Sequence, residues 1–322
     1  MDHDGGWLRS KLEQNCFTSQ PIPDRALSFL VLIAAGCAYP GIPRKLECNE
    51  QREHVCEISN FTIVESMDLT EYEFPDHPHL AFGMFPHSDD STYVVTITKE
   101  LADILQTTEK LEMQNVSLQT MVLWQNLRSL EASHNNFFEL TVEEGQNYQL
   151  RELNLSHNRF QTIDFVKALP ALRVLDLRHN YLEALDFSLF DMATELWKLN
   201  LANNRIQTIS TSGSLHLPRL TSLMLNDNML NVLDASEWRF SMLQDLNLAR
   251  NRLRYLSMCE VNHSFPHLQM LYMDENRWDC GHLNATIRQL HLLTVKPMVY
   301  YTNSGNDDDE QCPKSVEDIC CY

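Results

Sequence analysis

Between Leu127 and Trp278 the chain repeats one pattern of apolar and polar positions. Seven segments, beginning at Leu127, Leu150, Leu172, Leu196, Leu220, Leu243 and Leu268, follow Leu-x-x-Leu-x-Leu-x-x-Asn-x-apolar at spacings of 22–25 residues. The ninth position is filled each time, by Asn135, Asn158, Asn180, Asn204, Asn228, Asn251 and Asn276. The alternation around the central Leu predicts a short strand with every second side chain turned inward. The Asn stands where the chain leaves that strand, and its amide can satisfy buried backbone groups that would otherwise be orphaned. One such unit cannot bury its own apolar face, so neighbouring units must cover one another. Pro170, Pro218 and Pro266, two residues before a repeat's first Leu, suit a connection entering a strand. The prediction is an α/β repeat architecture, a curved leucine-rich-repeat solenoid with a parallel sheet on its concave face.

Upstream the pattern fades. Leu111, Met113, Val116 and Leu118 read as a degenerate repeat and Val95 with Ile97 as another, giving seven clear units and up to nine over residues 92–278. Residues 39–91 read as an N-terminal cap and an irregular loop, with Met67–Ser91 rich in Pro, His and acid. Residues 279–322 read as a cysteine-containing C-terminal cap. Residues 1–38 read as a leader whose apolar run, Ala26–Ala38, is too short for a membrane span and right for a signal-peptide core. Its first 25 residues are atypical, since Asp2, Asp4, Glu13 and Asp24 offset Arg9, Lys11 and Arg25.

Cysteines and charge agree with export. Beyond the leader lie Cys48, Cys56, Cys259, Cys280, Cys312, Cys320 and Cys321, all outside the array or at its end, as disulfides of an oxidising compartment would be. Cys48–Cys56 is the expected N-terminal bridge and Cys280–Cys312 the expected C-terminal one. One of the adjacent Cys320 and Cys321 can join Cys259, which leaves the other, Cys321, as a spare that reads either as a free thiol or as one for an interchain bond. The sequons Asn60, Asn115, Asn154, Asn262 and Asn284 also fit an extracellular glycoprotein. The formal charge of −19 argues against nucleic acid or an anionic membrane as the partner.

Functional side chains are expected at the third, fifth, seventh and eighth repeat positions. They are Glu131, His134, Glu152, His157, Asp176, Arg178, His179, Lys198, Asn200, Asn226, Asp227, Asp245, Arg250, Tyr272 and Asp274, with Asn154, Asn247 and Glu275 beside them. The mixture is polar and of both signs, which suits protein recognition, although any solvated strand face is polar. His134, His157 and His179 share the eighth position of consecutive repeats and so can stack. The rows read either as a pH-sensitive or metal-binding ladder or, more simply, as polar turn fillers without a second ligand set. Asp307–Glu310 lacks the spacing of a calcium loop and reads as solvated chain. There is no Gly-rich phosphate loop, Gly-x-Ser-x-Gly elbow or His-Glu-x-x-His, so no enzyme, cofactor or metal is expected.

The chain resembles the mosquito leucine-rich immune proteins. The features that carry the likeness are Cys48-x7-Cys56-Glu-Ile-Ser-Asn-Phe, the degenerate units at Val95–Ile97 and Leu111–Met113, the seven clear repeats, and Cys312 with the Cys320–Cys321 doublet. The resemblance implies a secreted haemolymph protein of innate immunity. It further implies an adaptor or carrier for a complement-like thioester protein, pairing with a second leucine-rich-repeat chain. Heptads are missing after the doublet, so the likeness is to a short or coil-less member. A direct receptor for microbial surfaces and an extracellular-matrix or adhesion scaffold are the alternative readings.

Overall fold

The computed structural model describes residues 44–48, 54–59, 61–63, 67–82, 93–143, 145–211, 213, 215–257, 264–292, 295–298, 314–316 and 319–322. The leader, Asn60, Cys259, Asn262, Asp307–Glu310 and Cys312 lie outside them. The repeats stack into a solenoid whose eleven-stranded sheet is parallel throughout. Its strands, in spatial and chain order alike, are β1 (Cys56–Ile58), β2 (His79–Phe82), β3 (Lys110–Glu112), β4 (Ser129–Glu131), β5 (Glu152–Asn154), β6 (Val174–Asp176), β7 (Lys198–Asn200), β8 (Ser222–Met224), β9 (Asp245–Asn247), β10 (Met270–Tyr272) and β11 (Lys296–Met298). Leu130, Leu153, Leu175, Leu199, Leu223, Leu246 and Leu271 face one another in register along the inner side, all buried.

The Asn ladder explains the register. Asn158 accepts from the backbone N–H of Phe137 (3.0 Å) and donates to the carbonyls of Ala132 in the preceding repeat (2.8 Å) and Leu155 in its own (3.1 Å). Asn180, Asn204, Asn228, Asn251 and Asn276 repeat this arrangement. Each amide thus joins two coils through groups that water cannot reach.

Two features differ from the sequence expectation. The sheet starts at Cys56, and β2 lies inside the stretch read as an irregular loop. The run His79-Leu-Ala-Phe82 is too short to carry the repeat signature, yet Leu80 and Phe82 are buried and the Pro78 carbonyl accepts from the N–H groups of Glu109 and Lys110. Tyr93–Val94 and Thr96–Ile97 are strands, but of small sheets away from the concave face.

Both ends are closed by disulfides. Cys48–Cys56 is present as expected. At the C-terminus Cys280 pairs with Cys321 and not with Cys312, and Cys320 is itself disulfide-bonded, so Cys321 is not a spare interchain thiol. The reason is topological. Helix α1 (Cys280–Leu292), capped by Asp279, buries Leu283, Ile287 and Leu290, and a hairpin of Lys314–Val316 and Ile319–Cys321 returns to Trp278. Alternation in that hairpin strand buries Ile319 and Cys321 and turns Cys320 away, which puts Cys321 on the helix.

Candidate functional site

The exposed side of the sheet is built from four rows of side chains. The third row (Lys110, Ser129, Glu152, Val174, Lys198, Ser222, Asp245, Met270) and the fifth (Glu112, Glu131, Asn154, Asp176, Asn200, Met224, Asn247, Tyr272) are in register across β3–β10. The seventh and eighth follow where the chain turns out of each strand.

The fifth row serves the backbone first. Glu131 accepts from the N–H of Ser133, Asn154 from Ser156, Asp176 from Arg178, Asn200 from Ala202 and Asn247 from Ala249, all at 3.0–3.1 Å. Each closes the turn two residues on, as Asx turns do. Met224 and Tyr272 break the series, since neither side chain supplies that acceptor. The Tyr272 hydroxyl lies 3.7 Å from the Met270 sulfur, so the C-terminal half of the concave face carries three apolar or aromatic groups among polar ones. Both side chains are partly exposed on the concave face, where a partner can reach them. A search restricted to charged and polar residues passes over Met224, Met270 and Val174, although the repeat position alone finds them.

The eighth row has a conformational origin. Asn115, His134, His157, His179, Asn203, Asp227, Arg250 and Glu275 all hold φ between 51° and 56°. Asn, Asp and His tolerate this left-handed region best, which accounts for most of the row. The rings of His134 and His157 stack with centroids 4.0 Å apart, and those of His157 and His179 at 4.1 Å. Burial, followed by the neighbouring charges of His179, His134 and Arg178, holds the His157 pKa below its ordinary value. Among the described residues no group of His, Cys, Asp and Glu is arranged to hold a metal, the histidine column included. Further along the row, Arg250 bridges Asp227 and Glu275, each at 3.1 Å.

The expected site residues are thus brought to one face, unequally. Glu131, Glu152, Asp176, Lys198, Asp245 and Tyr272 stand on the strands, partly or fully exposed, and Arg178 and Asn226 follow in the turns. Asn200 and Asp274 are buried. Burial raises the Asp245 pKa against the attraction of Lys198. Of the sequons, Asn115 is exposed and Asn284 half-buried on α1. Asn154 lies in the concave sheet, and the nitrogen that a glycan would take donates to Glu131 at 2.6 Å.

The family model described as Leucine rich repeat matches residues 125–182, 148–206 and 194–253. Podocan-like protein 1 of Mus musculus is 39% identical over 113 residues, 33% of this chain and 20% of that protein. Tsukushi-A of Xenopus laevis is 26% identical over 202 residues, covering 62% of this chain and 54% of its own. The chain spans about half or less of the curated relatives it matches first. Among solved structures, the LRIM1 leucine-rich repeat domain superposes with a TM-score of 0.59 at 17% identity, over 84% of this chain and 83% of that one. The LRIM1/APL1C complex gives 0.54 at 20% identity, over 81% and 48%. At these identities the structures establish the solenoid fold alone. Among the described residues no helix is long and apolar enough to cross a membrane.

Proposed function

We propose that the chain is a secreted binding protein of innate immunity, an adaptor or carrier that grips a complement-like host protein on its concave face. The observation that carries this reading is the interruption of the fifth row by Met224 and Tyr272. Interfaces draw their energy from a few buried aromatic and Met anchors ringed by polar groups, and the C-terminal half of the concave sheet has that composition. A second leucine-rich-repeat chain is a further candidate partner, because a fold relative, LRIM1, is known as a complex with APL1C. The cap chemistry makes such pairing non-covalent at Cys321, which is engaged with Cys280.

The test is capture of partners from host plasma by the tagged chain, with Met224→Asn/Tyr272→Asn as the control. Asn at both positions restores the turn cap found at Asn154, Asn200 and Asn247, so the fold is kept while the anchors go. The expected result is a thioester-type protein retained by the native chain and at least about tenfold weaker with the variant, roughly 1.4 kcal/mol. Retention on washed microbes without any plasma protein would replace the adaptor with a direct receptor.

A further inference from the structure

The tenth repeat position lies beside the histidine column, on the flank where each coil descends from the sheet. Its occupants are Asn136, Arg159, Tyr181, Arg205, Met229, Arg252 and Arg277. Successive members are side by side. The Tyr181 N–H bonds to the Phe160 carbonyl and the Arg205 N–H to that of Leu182, and the Arg205 guanidinium lies 4.5 Å from the centre of the Tyr181 ring. Four arginines and no carboxylate in one row is a marked departure for a chain of charge −19. Arg159, Arg205, Arg252 and Arg277 are exposed, and none has an acidic partner among the described residues. Of the nearby carboxylates, Asp227 and Glu275 are held by Arg250, and Asp279 by His282 and the start of α1; Glu183 lines the groove beside Tyr181 and Arg205 together with Asp164, which is paired with Lys167, and Asp186, which accepts from the Ser188 N–H.

We infer that this flank is a docking strip for an acidic polysaccharide, a linear glycan bearing sulfates or carboxylates. At about 4.8 Å per coil, Arg159 to Arg277 spans roughly 24 Å or more, a track for an extended polymer and not a pocket for a single anion. Unpaired guanidinium forks suit sulfate and carboxylate oxygens. Tyr181, 39% exposed, holds the Arg205 guanidinium against its ring and adds an aromatic edge to the strip that a sugar ring can touch. Past Arg277 the strip runs into a groove of about 500 Å³ lined by Arg254, Arg277, Asp279 and Tyr322. A protein partner would need apolar anchors, and the row supplies only Tyr181 and the half-buried Met229.

The test uses a fluorescent heparin oligosaccharide as the probe, with neutral dextran, polyglutamate and single-stranded DNA in parallel, near 0.15 M salt. The variant R159Q/R205Q/R252Q/R277Q removes the strip. The variant R128Q/R151Q/R173Q removes a comparable charge from the second repeat position at the start of the strands, where Arg128 and Arg173 are paired with Glu109 and Glu195. Thermal melts check that both fold. Expected are binding of heparin but not dextran, a loss of at least about tenfold in the first variant, a change within about twofold in the second, and weakening as salt rises. No heparin binding above dextran, or equal losses in the two variants, overturns the proposal. Equal or tighter binding of polyglutamate or DNA, lost in the same variant, also overturns it and gives the strip to an acidic protein or a nucleic acid.

Discussion

A single amide shows how much one residue does in this fold. The Asn204 side chain accepts from Leu182 N–H and donates to the carbonyls of Leu177, Leu201 and Ala202. Asn204→Ala strands the two inter-coil backbone groups in a place water does not enter, at about 1–3 kcal/mol for each group left unpaired. The expected outcome is a clear drop in the urea midpoint, measured by circular dichroism. The histidine column makes a second prediction at this scale. With the His157 pKa depressed in the folded chain, the unfolded chain binds more protons, so stability falls as pH drops through the unfolded value of about 6.5 and the loss levels off below the folded one. His134→Asn/His157→Asn/His179→Asn keeps a residue that Asn115 and Asn203 show is accepted at φ near 55°. The variant is expected to melt less steeply with acid between pH 7 and 5. An identical pH profile to the native chain would show that the column does not titrate with folding.

At the scale of elements, the strands are interchangeable and the caps are not. Any central coil is covered on both sides by its neighbours, whereas the last one is covered, among the described residues, by β11, α1 and the hairpin that Cys321 closes. The bridge spans a sequence separation of 41 residues. Cys280→Ser/Cys321→Ser should cost about 2–4 kcal/mol, with the largest rise in amide hydrogen exchange at Trp278–Leu292 and little change at β4–β7. Uniform exchange along the solenoid would mean that the cap and the array unfold as one unit. Element scale is also where the sequence was least legible. The strand β2 could not be read because three buried residues between prolines, histidines and acids look like loop. The Cys280–Cys321 pair could not be read because spacing does not say which of two adjacent cysteines turns inward.

At the scale of the whole molecule, the solenoid separates two surfaces that a globular fold would merge. The proposed concave anchors Met224, Met270 and Tyr272 and the flank arginines belong to different rows of the solenoid. The two surfaces are predicted to act independently. Met224→Asn/Tyr272→Asn should leave heparin binding unchanged, and the four arginine substitutions should leave capture of the plasma partner unchanged. A joint loss from either change would indicate one continuous interface wrapped over the rim.

The sequence by itself determined the coil, because the repeat is local. Leu-x-x-Leu-x-Leu-x-x-Asn dictates which atoms go inside, the Asn supplies the bonds between coils, and seven copies in succession leave no other way to bury the apolar face. It also placed the side chains by row, so the concave residues and the stacking of His134, His157 and His179 could be read from position alone. Only the tertiary structure decided which of those side chains are at liberty. Whether Asn154 or Asp176 faces a partner or closes its own turn depends on a hydrogen bond two residues away. Whether an arginine is paired depends on the coil above or below it. The inward turn of Cys321 depends on a helix that begins 41 residues earlier in the chain. These are contacts between distant segments, and no local pattern encodes them.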